Sequence, residues 1–435
     1  MATVSPITYR VQSGQPVNGG RFPGGRLLGS WTIGNSIMEG GFSVAPPPGV
    51  PSWITSATIG RWGTVPASNT LSALNPKLNA TLNPSYPGDP PWGATQRAVF
   101  DAWCSMSTDP DGALWAWGGG HADYGGNEPY KLDLTAATPV WVMKRPPSGS
   151  LLSPATDVAI DSSPAGIAAS ATGFFSDGRP RPTHTYGSHV FVPGKGLAVT
   201  NLLYCWPHVN GPKKAVYYSE TGGDWGLLAD YSALGDTTGY GVGSCYDSSR
   251  NCVWFLSGGS YNMVRLNVAD GTSSRVGTVS GWVESPVSLR YDAAADLVYI
   301  ISSGYYAPSL RRVLVFDPTT GTIHTPPAYT GTGPAGFDPT WLGDGAAWDA
   351  VGQRWLIWNG SLTDRATIAT MTKPAGDPRS TAWVLGSLTI DAGNTVTPTV
   401  ALTNRTYNRF DYIPSLGICV LCNAVSDPVY FFKVR

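Results

Sequence analysis

Charge is scarce in this chain: only 13% of its 435 residues are Asp, Glu, Lys or Arg, against about 25% in an ordinary soluble domain. Formal net charge is −1, with no basic block or stripe, so the electrostatic footprint of a nucleic-acid binder is missing. Long apolar runs are missing too, and none approaches the roughly 18 residues of a membrane span. The start, MATVSPITYRVQSGQPVNGG, has no basic stretch followed by an apolar core, so it does not read as a Sec signal peptide. The expectation is synthesis and retention in the cytoplasm unless an assembly carries the protein elsewhere. Six cysteines do not make a dense disulfide framework. Cys419 and Cys422 resemble a CxxC, but within ICVLC an odd spacing puts the two side chains on opposite faces of a strand. They read as buried structural thiols.

What the chain has instead is 53 Gly, 37 Pro, 17 Trp and 20 Tyr. Gly and Pro punctuate many turns, while Trp and Tyr suit wedging between neighbouring sheets. One phrase recurs six times: a strand, a tight polar turn and a second hydrophobic strand. Its turns start at Asp109, Pro193, Asp247, Asp292, Asp349 and Pro414, at spacings of 84, 54, 45, 57 and 65 residues. Each interval holds one four-stranded sheet. The fold class is therefore all-β, a β-propeller of six blades, or seven. First strands are expected at 186–192, 241–246, 287–291, 346–348 and 410–413. Their partners are expected at 197–202, 253–256, 298–301, 355–358 and 418–421. Third strands follow at 130–134, 263–268 and 312–316, and outer strands carry Trp141, Trp225 and Trp383.

Residues 1–50 do not fit the repeat. They are Gly- and Pro-rich, end in Pro46-Pro47-Pro48, and carry Leu27, Leu28, Trp31, Ile33, Ile37 and Phe42. That is apolar for a solvated tail and suits a docking arm that makes homo-oligomer contacts. The propeller is expected over 51–435. Its last blade runs out of chain after three strands, so a strand near 52–59, SWITSATI, is expected to close the ring and protect the edge.

Two phrases are dense enough in polar residues to form a site. The loop after Trp117 runs GGGHADYGGNE and contributes His121, Asp123, Tyr124, Asn127 and Glu128. The segment RPRPTHTY leads into the second blade and contributes Arg181, His184 and Tyr186. In a propeller both lie on one face, near the rim of the central channel. They read either as a polar binding or catalytic cluster or as a hydrogen-bonded strut. The strut is preferred, because buried polar loop groups must find partners whatever the function.

Together AWCSMSTDPDGALWAWGGGHADYGGNEPYKLDL at 102–134, RPTHTYGSHVFVP at 181–193 and RFDYIPSLGICVLCNAVSDPVYFFKVR at 409–435 resemble the kelch-type β-propellers. That superfamily includes the central domain of galactose oxidase. More narrowly, they resemble a group of bacterial and bacteriophage kelch-like proteins. The copper-radical branch implies two Tyr and two His ligands, with one Tyr directly before a ligand His. This chain has only His121, His184, His189, His208 and His324, and no Tyr-His dipeptide, which argues against it. Sialidase-type Asp boxes are also missing. A paired-carboxylate hydrolase could draw on Asp123, Glu128, Asp344 and Asp349, yet Asp247, Asp292 and Asp349 share one turn position, the mark of turn chemistry. Asp109-Pro110-Asp111-Gly112 lacks the EF-hand pattern and reads as a plain turn.

The resulting expectation is a non-catalytic propeller with no cofactor and no metal. The resemblance points to a virion tail component of nozzle, hub or fibre type, with other tail proteins and a host-surface glycan as partners. The alternative is a carbohydrate-binding or carbohydrate-active propeller working at one face, in the cytoplasm.

Overall fold

A computed structural model describes residues 49–435, apart from 76–95, 102, 120–123, 149–172, 176, 203–211, 236–242, 258–260, 280–286, 303–311, 336, 338–344, 359, 361–364 and 402–405. The described residues all belong to one compact unit, Pro48–Arg435. The arm read at 1–50 lies outside them except for its last two residues.

Among the described residues the strands form six sheets. Blade 1 holds Met106–Thr108, Ala113–Ala116, Tyr130–Asp133 and Trp141–Met143. Blade 2 holds His189–Val192, Gly196–Val199, Lys214–Ser219 and Asp224–Asp230. Blade 3 holds Gly243–Asp247, Cys252–Leu256, Asn262–Asn267 and Ser273–Thr278. Blade 4 holds Val287–Asp292, Leu297–Ser302, Arg312–Asp317 and Thr322–His324. Blade 5 holds Ala346–Asp349, Arg354–Trp358, Ile368–Thr372 and Val384–Ser387, with Thr330–Gly331 added in parallel on its outer edge. Blade 6 holds Phe410–Ile413, Ile418–Leu421 and Tyr430–Lys433. First strands of successive blades neighbour one another, and that of blade 6 neighbours that of blade 1. The ring therefore closes at six blades, not seven.

Each hairpin between first and second strands is made by local chemistry. Asp109 accepts from the Ala113 amide at 2.8 Å and from Trp115 Nε1 at 3.0 Å. Asp247 accepts from the Ser249 and Arg250 amides and from Trp254 Nε1. Asp292 accepts from the Ala294 amide and Tyr299 Oη, and Asp349 from the Val351 and Gly352 amides. One carboxylate thus ties the turn and, in three blades, orients an aromatic side chain of the next strand. A left-handed residue stands immediately before the second strand at Gly112, Asp296, Gln353 and Gly417, with φ of +100°, +54°, +48° and +66°, and blade 2's second strand itself opens on Gly196 at +119°. In blade 3 Asn251 takes that place at +46°. This conformation lets a short loop reverse the chain without splaying the strands.

The blades pack through six apolar clusters, one per wedge between neighbours. Blades splay outward, and connecting chain fills the gaps: Ile54, Val65 and Leu71 between blades 6 and 1, and Leu388, Ile390 and Val396 between blades 5 and 6. Cys419 lies in the cluster between blades 5 and 6, and Cys422 in the one between blades 6 and 1. Their side chains do face opposite sides, as strand parity requires.

Ring closure comes from a different stretch than 52–59. Ser52–Thr55 is a single helical turn following Pro51. Its Ile54 is fully buried, and Trp53 meets Phe431 edge-on at 5.0 Å while donating to the Ala136 carbonyl. The segment plugs a wedge rather than pairing. The fourth strand of blade 6 is Trp62–Thr64, antiparallel to the last strand with Trp62 opposite Phe432 and Thr64 opposite Tyr430. Gly60, at φ +83°, redirects the chain just before it. At Gly63 a Cβ would stand 2.6 Å from the Phe431 ring, so only glycine lets that ring lie across the closing strand.

Three further sets of contacts hold the ring from inside. Arg409 is fully buried and donates to the carbonyls of Phe100, Cys104 and Cys422 at 2.7–3.1 Å, which ties blade 6 to the chain leading into blade 1. Asp411 of blade 6 accepts from Thr108 of blade 1 at 2.8 Å and pairs with Arg290 of blade 4 at 3.0 Å. Beside that pair, Ser288 and Asn408 also bond blade 4 to blade 6. These links pass in front of blade 5, whose first strand begins with Ala346-Ala347 and leaves room for them.

Candidate functional site

The loop from the second to the third strand of blade 1 and the segment leading into blade 2 meet on one face, as the topology demands. The Gly119 amide donates to the Thr183 carbonyl at 3.3 Å, and the Tyr186 amide to the Trp103 carbonyl at 2.7 Å. Ser105 N donates to Thr185 Oγ1 at 2.9 Å. Gly118 has φ +137° and lies against the Cys104 thiol, where a Cβ would come within 2.6 Å of Sγ. Of the eight residues singled out in these phrases, His121 and Asp123 lie outside the described residues. The other six are placed.

Asn127 is 2% exposed and bonds to two separate stretches of chain. Its Nδ2 donates to Ser148 Oγ at 2.8 Å and to the Pro180 carbonyl at 2.9 Å, while its Oδ1 accepts from the Ser148 amide at 2.8 Å. Arg181 is buried, donates through Nε to the Phe174 carbonyl at 3.1 Å, and stacks 4.9 Å from the Phe175 ring. Glu128 is 1% exposed, and its Oε1 accepts from Tyr124 Oη at 2.5 Å and Tyr130 Oη at 2.6 Å. Gln96 Nε2 in turn donates to Tyr130 Oη at 2.8 Å. Burial pushes the Glu128 carboxyl up to about 7, although both phenols stabilise its anion.

His184 and Tyr186 belong to an aromatic group at the axial end of this face. Trp103 lies 4.8 Å from His184, His184 5.9 Å from Tyr186, and Tyr186 5.7 Å from Tyr407. Trp103, Tyr186 and Tyr407 each stand three residues before the first strand of their blade, at φ +53°, +48° and +40°. Bulky residues rarely adopt this region. The three blades concerned are neighbours, so one backbone irregularity is repeated around half the ring. His184, Tyr186 and Tyr407 are buried, and Trp103 is half-buried.

Sequence reading placed the two phrases on one face but missed several residues of this region. His189 is buried in the first strand of blade 2, and burial lowers its imidazole to about 3, which keeps it neutral. Trp103, Tyr407 and Gln96 carry no motif; only their equivalent positions ahead of the strands could have marked the first two. On the opposite face, a groove of about 530 Å³ lies between the turns of blades 4 and 5, lined by Asp296, Asp317, Thr319, Asp377 and Arg379. Its carboxylates are paired with Arg250 and Arg379. Asp349, a hydrolase candidate, is fully buried in its turn and bonded to Arg354, while Asp344 lies outside the described residues. Among the described residues no group of three or more His, Cys, Asp or Glu is placed to hold a metal ion. None of their helices is long and apolar enough to cross a membrane.

No protein-family description matches the chain, and no curated protein matches it. Among solved structures it is similar to a structural-genomics protein of unknown function from Bacteroides thetaiotaomicron, at 12% identity and TM-score 0.45, over 86% of this chain and 75% of that one. It is also similar to TolB from Acinetobacter baumannii, at 14% identity and TM-score 0.35, over 62% of this chain and 51% of that one. A chain of a nidogen/laminin complex gives 8% identity and TM-score 0.34, over 65% and 83%. At these values the likenesses carry no argument about activity.

Proposed function

We propose that this chain is a non-catalytic, kelch-like propeller serving as a structural or binding part of a bacteriophage virion tail, of nozzle, hub or fibre type. The observation that supports it best is the use to which the candidate site puts its polar groups. Asn127, Arg181 and Glu128 are buried and bonded to neighbouring chain, so they brace two loops and present little to a substrate. Low charge and the apolar composition of residues 1–50 suit a part held among neighbours. In this reading the arm joins a second copy or another tail protein.

The half-buried Trp103, with His184 and Tyr186 behind it, favours one second reading, since an aromatic face suits the apolar side of a sugar ring. The face would then bind a host-surface glycan. Native particle size tests the first reading. The full chain is expected as a large ring or virion-associated species, and removal of residues 1–45 is expected to weaken assembly while the propeller stays folded. A full chain that sediments as a monomer and is missing from purified particles would overturn it. Glycan-array binding lost in Trp103→Ala would bring the second reading forward.

A further inference from the structure

Glu128 is a buried carboxyl group beside which the described residues place no cation. Tyr124 on its own loop and Tyr130 at the start of the third strand face it, and Gln96, ahead of the short helix Ala98–Asp101, donates to Tyr130 Oη from behind. Both phenols donate to Oε1, and Oε2 has no hydrogen-bond partner. The backbone at Gly126 closes over the pair, since a Cβ there would collide with Oε2 and with Tyr124 Oη. Gln96 also donates to the Leu71 carbonyl at 3.1 Å, so the cluster joins the loop to the chain that fills the wedge between blades 6 and 1. Burial with no cation among the described neighbours favours the neutral carboxyl, and it outweighs the pull of the two phenols towards the anion. An ionised one leaves Oε2 buried with its share of the charge and no side-chain donor, which is costly in a dry setting.

We propose that Glu128 is a proton-operated latch on the segment Tyr124–Tyr130, holding it closed when protonated and releasing it when ionised. The proton passes to solvent as the segment opens. Tyr130 remains a donor throughout, because burial and the adjacent carboxylate hold its phenol well above the usual range. Opening would also remove Asn127 from Ser148 and Pro180, loosening the brace between blades 1 and 2. This device is independent of what the protein assembles with.

The sign follows from the two states. In the closed segment the carboxyl titrates at about 7, against 4.5 when free. The closed form's advantage is complete below the free value and is lost as pH rises towards the closed one. Opening should therefore grow roughly 40-fold between pH 5 and pH 7, and then level off. Hydrogen–deuterium exchange on the full chain measures this, read on peptides covering 113–134 and corrected for the intrinsic pH dependence of amide exchange. Protection there is expected to fall by that factor, while peptides from blades 3 and 4 keep theirs. Glu128→Gln, neutral at every pH, should abolish the fall. Should that variant not fold, Tyr124→Phe provides a second arm: losing a donor to the anion should move the levelling-off above pH 7. Flat protection in the wild type, a fall unchanged in Glu128→Gln, or an unmoved plateau in Tyr124→Phe would each overturn the latch.

Discussion

Replacing Asn127 by alanine separates a brace from a ligand-binding group. The substitution removes three hydrogen bonds at once and strands the Ser148 amide, the Ser148 hydroxyl and the Pro180 carbonyl. All of these residues are buried. A buried group left without a partner costs about 1–3 kcal/mol. The serine hydroxyl can rotate, and a water can enter the space vacated by the amide, so the net loss should be about 2–4 kcal/mol. A propeller of this size that unfolds as one unit has a large unfolding entropy, and such a loss lowers Tm by only about 3–5 °C. Differential scanning calorimetry resolves that shift, and denaturant titration gives the free energy independently. Ser148→Ala breaks a single side-chain bond and should cost about 1 kcal/mol, which calibrates the larger effect. If Asn127→Ala melted with the wild type, the brace would be refuted; loss of a bound ligand in that stable variant would make the loop a site.

Other consequences can be checked on the same protein. Gly63→Leu should force the Phe431 ring off the closing strand at about 1–3 kcal/mol, and deletion of residues 49–65 should cause aggregation measurable by light scattering; a deletion that melted normally would disprove closure by Trp62–Thr64. Arg290→Met and Asp411→Asn should show a coupling of about 1 kcal/mol in a double-mutant cycle, although the two residues are 121 positions apart; additive losses would mean the axial pair contributes nothing. Burial pushes the thiols of Cys104 and Cys422 up to about 11 and about 12, so neither should react with iodoacetamide at pH 8 in the folded protein. Mass spectrometry after alkylation reads this directly, and labelling of Cys104 at the rate of a free thiol would contradict it.

The candidate site was legible in part. Loop position follows from strand order, so placing the Asn127 and His184 phrases on one face needed only the count of strands. Their bonding did not follow from it. Asn127 reaches Pro180, 53 positions away, and no local pattern announces that partner. Glu128 reads on paper as a loop carboxylate open to either a strut or a paired-carboxylate hydrolase. In the fold two tyrosines bond it, and a glutamine holds one of them, because the third strand and the chain around residue 96 meet there.

Taken by itself, the sequence determined what short-range chemistry controls. Turn aspartates followed by an aromatic a few residues on, short polar turns and alternating apolar strands define the hairpins. Phe410–Ile413 and Ile418–Leu421 lie where the pattern put them. Strand parity likewise separated Cys419 from Cys422. Tertiary structure decided everything that depends on how the blades meet. Both 52–59 and 62–64 offer aromatic and β-branched residues; which of them pairs was settled by a wedge that takes Trp53 and Ile54, and by an edge that Trp62 can reach. Blade number, the parallel Thr330–Gly331 addition, buried Arg409 and the Arg290–Asp411 link have the same origin. Closing the ring brings together residues hundreds of positions apart, and no interaction between near neighbours in the chain can specify those contacts.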